Sequence, residues 1–400
     1  MKDDKTNGAT LKANAGIDPI EARLDEFAAS IYARRSREIG YPLNQQSRLI
    51  GFYKWLMGSG MNLTMVDNAG DPFMDDGGLM STLEYEREVL EFFGPLFGFD
   101  LNDLWGIVTF SGTDGNNHGL YFGAKYLERK TGKKPVLYVS DAAHYSSRRL
   151  ADLQNLDMRL IPSDVHGRMI PEELDKAIVD ERPALVVYAM GTTFKGGVDD
   201  QATLNAVLAK HPSLVVYRHI DAALFGGYLP HTKYRDFVDR RVQPFDSIAF
   251  SGHKIFGMDE PAGIFLTTRE VKENQNPFQV SYLNANMPMI NCSRSALSPL
   301  KIWWIIQHTS REEFERQAAE MLENAAWLKG EFDKLGWPAW LEPMSNTVYF
   351  KRPPQEIVKK YGLAPDHDDR LGGDLSHLIV MQHVSKERLT RFLDDLKAAQ

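Results

Sequence analysis

Lys254 closes the tetrapeptide Ser251-Gly252-His253-Lys254, directly after the apolar run Ser247-Ile248-Ala249-Phe250. A lysine at the end of a buried strand loses hydration, and desolvation lowers its pKa toward the range where the neutral amine is a nucleophile. Schiff-base chemistry is open to it, as is the plain role of a surface lysine after a strand. Three further segments bear on the choice. His219-Ile220-Asp221-Ala222-Ala223 ends another apolar run, with His219 and Asp221 on one face of the strand. A carboxylate there can pair with the protonated ring nitrogen of a pyridine cofactor acting as an electron sink, or it can cap the next helix. FSGTDGNNHG at 110–119 is a small-polar turn opening into a helix. The free N–H groups of such a start can hold a phosphate, which makes Ser111, Gly112 and Thr113 phosphate candidates. The Gly-Lys-Ser/Thr ending of a nucleotide P-loop is absent. His144, in DAAHYSS at 141–147, follows another apolar run; it can stack on a ring, relay a proton, or simply fill the core. GTTFKGGVDD at 191–200, containing Thr193, is a turn of the same kind.

These segments need a frame that brings them together. Short apolar runs at 136–139, 158–161, 184–190, 213–220, 247–250 and 263–268 are bounded by turn residues. They read as strands of a mostly parallel sheet covered on both faces, in which ligands bind beyond the carboxyl ends. The expectation is an α/β large domain. Ser310 with Glu313 opens a helix that continues at helical spacing to Gly336; strand-like 346–350 and 377–384 and a helix opened by Ser385 follow, a small C-terminal α+β domain. The expected division is 1–60, a leader and helical segment with a possible dimer contact; 61–290, the large domain; and 291–400, the small one. Asp18-Pro19 starts the first helix, with Ile20, Leu24, Phe27 and Ile31 as its apolar stripe, which suits its own subunit or a second one equally. The loop at 61–73, rich in Asn, Gly, Asp and Pro, reads as a site wall or a surface loop.

The bulk composition restricts the function classes. With 43% hydrophobic and 25% charged residues among 400, the chain can bury a large core. A net charge of −8 and no basic block argue against a nucleic-acid partner. One cysteine, Cys292, makes no intramolecular disulfide and no CxxC zinc site, so a metal is not expected and a reducing cytoplasm is. The polar first residues lack a signal peptide's apolar run and read as a flexible leader; no stretch is long and apolar enough to span a bilayer.

The ordered set NAGDP (68–72), EREVLEFF (86–93), SGTDGN (111–116), DAAHYSS, GTTFKGGVDD, HIDAA, SGHK and CSRSAL (292–297) resembles the group II decarboxylases that depend on pyridoxal 5′-phosphate (PLP). The likeness runs from about Tyr41 to His383 and is strongest to the bacterial histidine decarboxylases. It implies that Lys254 holds PLP as a Schiff base, that Asp221 pairs with the pyridine nitrogen and that His144 stacks on the ring. It places Ala223 against the opposite face, and Ser111, Gly112, Thr113, Ser251 and His253 around the phosphate, with Thr193 among the cofactor-binding residues. The implied fold is the aspartate aminotransferase-like fold type I. The implied assembly is a homodimer with sites at the subunit boundary, the 293–295 segment from Ser293 reaching the neighbouring subunit's phosphate.

Where the histidine decarboxylases run Gly-Ser/Thr-Pro-Met-Pro-Cys-Gly, this chain has Gly257-Met258-Asp259-Glu260-Pro261-Ala262-Gly263. Facing the site, the two acidic residues would favour a cationic substrate; facing water, they would not bear on it. The stretch 271–290 has no clear counterpart, and Tyr282 within it is the candidate for returning a proton to Cα. Decarboxylation of an L-amino acid, histidine to histamine first, is the expected reaction. Lysine, arginine, ornithine and aromatic amino acids are the alternatives, followed by another PLP lyase or an aminotransferase. A metal-dependent hydrolase built on His144, His219, Asp221 and His253, and a catalytically silent binding protein on the same fold, complete the set.

Overall fold

The computed structural model describes residues 18–74, 80–275, 278–280 and 285–399. The chain divides into two compact units, Met1–Glu38 and Ile39–Gln400. Among the described residues the first contains one helix, Pro19–Arg35. Asp18 caps it, Oδ1 accepting from the Ile20 N–H at 2.9 Å with proline at the first helical position. Ile20, Leu24, Phe27 and Ile31 are exposed.

In the second unit, β1 (Leu104–Thr109), β2 (Val136–Ser140), β3 (Asp157–Ile161), β4 (Ala184–Ala189), β5 (Val216–Asp221), β6 (Ser247–Phe250) and β7 (Gly263–Thr268) form one sheet. Their order is β1-β7-β6-β5-β4-β2-β3. The pairs among β2, β3, β4, β5 and β6 are parallel, and β7 runs antiparallel to β6 and β1. Every residue of β1, β2, β4, β6 and β7 is buried, as continuous apolar strands covered on both faces must be. The Gly112–Thr131 helix packs across β5, β6 and β7 and so fixes its own start above their ends.

Strand β1 is absent from the sequence reading. Its run is interrupted by Gly106, where a Cβ would fall 2.4 Å from the Phe265 carbonyl oxygen, so the glycine marks a close strand contact rather than a break. The run at 213–220 becomes a strand only from Val216. A short antiparallel pair, β8 (Phe278–Val280) and β9 (Ala285–Met287), follows the main sheet.

The C-terminal part forms an antiparallel sheet of β10 (Ala339–Leu341), β11 (Thr347–Lys351), β12 (Ala364–Asp368) and β13 (Gly373–Ile379), ordered β10-β11-β13-β12. Ser310 Oγ accepts from the Glu313 N–H at 3.2 Å and opens the Arg311–Lys334 helix. Ser385 opens the Lys386–Ala398 helix, which buries Leu389, Phe392, Leu393 and Leu396. β13 starts and ends earlier than the apolar run at 377–384: Val380 and Met381 are buried beyond the strand's end, ahead of the turn at 382–383.

Candidate active site

The carboxyl ends of β2, β4, β5 and β6 and the start of the Gly112–Thr131 helix enclose a cavity of about 380 Å3. Ser111, Gly112, Thr113, His144, Thr193, Asp221, Ala223, Ser251, His253 and Lys254 all line it. The sequence-stated residues outside this group are Ser293, which is exposed and does not line this cavity, and Tyr282, which lies outside the described residues.

Ser111 caps its helix, Oγ accepting from the Asp114 N–H at 3.3 Å, while the Gly112 and Thr113 N–H groups have no intrahelical acceptor, as at every helix start. A Cβ on Gly112 would stand 2.4 Å from Ser251 Oγ, so only a bare backbone fits between the helix start and the strand end. The result is an anion cradle of backbone and hydroxyl groups.

Asp221 is buried at the last position of β5, where its Oδ1 accepts from the Ala223 N–H at 3.1 Å. The N-cap-like role and the cavity-facing role therefore coexist. Burial pushes its carboxyl pKa up, while His144, Lys254 and a hydrogen bond from Asn116 favour the charged form. Asn116 has no role in the sequence reading, yet it organises this wall. His219 Nε2 bonds Asn116 Oδ1 at 3.0 Å, and His219 Nδ1 bonds Ser247 Oγ at 2.8 Å. An amide oxygen only accepts, so the His219 Nε2–H donates, Nδ1 accepts from Ser247, and the Asn116 NH2 is left to donate to Asp221. Burial holds His219 neutral, its pKa lowered to about 3. His219 is thus a support behind Asp221, not a ligand in the cavity.

Lys254 is pushed below the usual lysine pKa by burial, with Asp221 acting against the shift. His144 is lowered first by burial; Asp221 raises it and Lys254 lowers it further. Its Nδ1 lies 2.7 Å from Ser146 Oγ, which fixes the ring. His253 Nδ1–H donates to the Ala262 carbonyl at 2.7 Å. His144, His219, Asp221 and His253 thus have separate partners, and among the described residues no three His, Cys, Asp or Glu side chains are grouped to hold a metal ion.

Sequence reasoning misses the far wall. Tyr41 and Pro42, and from the C-terminal sheet Thr347, Ala364, His377 and Ile379, also line the cavity. His377 is buried, bonds the Phe194 carbonyl at 2.8 Å and stacks on Phe194 with ring centres 4.7 Å apart. No local motif signals these positions; they arrive through the tertiary fold.

Asp259 and Glu260 do not line the cavity: their side chains are 45% and 38% exposed, Lys301 Nζ lies 3.0 Å from Asp259 and 3.1 Å from Glu260, and Tyr53 bonds Asp259. Within the 293–295 segment, the Arg294 guanidinium turns into its own chain. It is buried, at 2.9 Å from Glu86 and 3.2 Å from the Gly70 carbonyl. Asn68 also donates to Glu86 at 2.8 Å, so the 68–72 loop belongs to a buried structural network rather than to the site wall.

The cavity fits three ends of one small molecule: a helix start for a phosphate, a carboxylate for a ring nitrogen, and a desolvated amine for an aldehyde. With the sheet order and the small C-terminal sheet, this defines a PLP-dependent enzyme of fold type I. A match to the pyridoxal-dependent decarboxylase conserved domain spans residues 122–338, and the chain belongs to that family. It is 31% identical over 389 residues to a histidine decarboxylase of Pseudomonas entomophila, covering 94% of this chain and 90% of that protein. It is 28% identical over 398 residues to serine decarboxylase 1 of Oryza sativa, covering 98% and 77%. The fold matches L-methionine decarboxylase from Streptomyces sp. 590 with a TM-score of 0.80, 23% identity and 96% of each chain covered. The protein is a PLP-dependent amino-acid decarboxylase.

Proposed function

We propose that the protein decarboxylates L-histidine to histamine, with Lys254 as the lysine that binds the cofactor. The observation that carries the assignment of residues is the convergence of Lys254, Asp221, His144 and the 111–113 turn on one cavity. Bound PLP supplies the electron sink for the pair left when the bond from Cα to the carboxylate breaks.

The chain's own residues do the rest. Asp221, supported by Asn116, presents a negative charge to a ring nitrogen; the 111–113 backbone and Ser251 hold the phosphate; His144 and Ala223 bound the ring's two faces; Thr193 and His253 complete the wall. Burial pushes the Lys254 amine toward its neutral, nucleophilic form, with Asp221 acting against the shift. Tyr282 is our candidate for the proton returned to Cα. The pairing of Asp259 and Glu260 with Lys301 removes them as recognition groups for a basic side chain, which favours a neutral substrate over lysine, arginine or ornithine. The coverage of the histidine decarboxylase, 90% of its length, supports histidine as the first substrate.

Serine is the second reading, supported by the 98% of this chain that aligns with the rice serine decarboxylase. We further place the active form in the cytoplasm as a homodimer with sites at the subunit boundary. Among the described residues no helix is long and apolar enough to cross a membrane. The test is the rate of amine and CO2 release across the twenty amino acids: fastest turnover with histidine supports the reading, serine preference replaces it with the second, and turnover of lysine or arginine above both overturns it.

A further inference from the structure

The Gly252–Ile255 helix that carries Lys254 is held from behind by two segments far away in the chain. A four-residue helix satisfies almost none of its own carbonyls, and here Phe256 N–H returns to the Gly252 carbonyl at 3.0 Å. The Lys254 carbonyl instead accepts from the Asn44 N–H at 3.0 Å. The Ile255 carbonyl accepts twice, from Asn44 Nδ2 at 2.7 Å and from Gln382 Nε2 at 3.0 Å. Asn44 is only 8% exposed, and its Oδ1 accepts from the Gln46 N–H at 2.9 Å, which turns its NH2 group toward Ile255. Gly257 makes the approach possible: φ is 63°, and a Cβ there would meet the Gln46 carbonyl oxygen at 2.4 Å. On the sheet side, Ser251 N–H donates to the Ala223 carbonyl at 2.9 Å and His253 N–H to the Ala262 carbonyl at 3.2 Å. The backbone of Lys254 is therefore clamped between the strand ends and the 44–46 segment.

We propose that Asn44, with Gln382 as second donor, is a positioning residue that sets how far Lys254 reaches into the cavity. The proposal rests on the reading of Lys254 as the cofactor lysine. Neither Asn44 nor Gln382 lines the cavity, so both act through the backbone of the helix. Loss of one donor leaves the Ile255 carbonyl the other. Loss of both orphans it, and the helix shifts to find a new partner. The two substitutions are therefore more than additive.

The experiment compares the parent holoenzyme with Asn44→Ala, Gln382→Ala and the double variant. Each is stripped of cofactor and reloaded with PLP, and attachment is followed by borohydride trapping and the mass of the Lys254 peptide. In this step Lys254 Nζ forms a bond to the aldehyde carbon and the aldehyde oxygen leaves as water. The double variant attaches at least about tenfold more slowly, the scale on which a misplaced reacting group loses rate, and the singles fall short of half that loss on a logarithmic scale. Attachment at the parent rate in the double variant, with only its melting temperature lowered, overturns the proposal and leaves a purely structural role. If the double variant does not fold, the volume-keeping pair Asn44→Leu with Gln382→Met, which also removes both NH2 donors, decides on the same readout: slowed attachment supports the proposal and parent-rate attachment overturns it. A parent enzyme that traps cofactor elsewhere than Lys254 sinks the underlying reading instead, and with it this one.

Discussion

Asp221 at the end of β5 and Lys254 on the short helix after the neighbouring β6 face one cavity, and burial drives both toward neutrality while each favours the other's charge. Asn116 adds a hydrogen bond that favours the charged form, while burial, the larger effect, keeps the carboxyl pKa raised. Asp221→Asn keeps the volume and the Asx-type contact to Ala223 but removes the charge. The expected result is cofactor still trapped at Lys254 with kcat reduced about 10²–10³-fold, the scale of one preorganised electrostatic group. Unchanged kcat would remove Asp221 from the chemistry.

The position of Asp259 and Glu260 gives a prediction about specificity. Asp259→Asn with Glu260→Gln leaves the ranking of amino-acid substrates unchanged, because both carboxylates are engaged by Lys301 away from the cavity. Relative rates for histidine, serine, lysine and arginine measure this. A selective loss with the basic substrates would show that the pair reaches the site after all.

Glu86 and Arg294 are both buried and each is the other's charge partner. Glu86→Ala leaves a buried guanidinium uncompensated and also strips acceptors from Asn68 and the Val108 N–H. The expected loss is about 3–5 kcal/mol in unfolding free energy, the range for breaking one side of a buried pair. Denaturant unfolding checks it, and a change below about 1 kcal/mol, the range of exposed pairs, would contradict the account.

His219 supplies a pH prediction. Its folded pKa is lowered to about 3 by burial, so below its unfolded value the unfolded chain binds a proton that the folded chain does not. Stability therefore falls as pH drops from about 6.5 toward 3, by about 1.4 kcal/mol per unit from this group. His219→Gln removes that contribution, and the slope of unfolding free energy against pH between 6 and 4 should flatten by one proton's worth. An unchanged slope would mean that His219 is protonated in the folded protein.

Much of the near wall is legible in the sequence because His144, Thr193, Asp221, Ala223, Ser251, His253 and Lys254 each follow an apolar run that marks a strand, while Ser111, Gly112 and Thr113 stand out as a small-polar turn opening a helix. Asn116 is missed because an amide inside a helix carries no motif; its role appears only when β5 brings His219 beside it. Tyr41, Thr347 and His377 come from segments that no spacing connects to Lys254, and only the packing of the C-terminal sheet brings them to the cavity. β1 is missed for the opposite reason, since Gly106 reads locally as a breaker where the fold needs a close contact with Phe265. Asp259 and Glu260 could not be placed from sequence because their partner, Lys301, lies about forty residues on in another helix.

The central claim is that Lys254 carries the cofactor for decarboxylation, and borohydride reduction of the loaded enzyme followed by peptide mapping tests it most directly. The account predicts a single modified peptide containing Lys254, and no trapped cofactor and at least about a thousandfold less amine and CO2 in Lys254→Ala, whose nucleophile is gone. Modification at another lysine, or amine formation by Lys254→Ala at the parent rate, would contradict it.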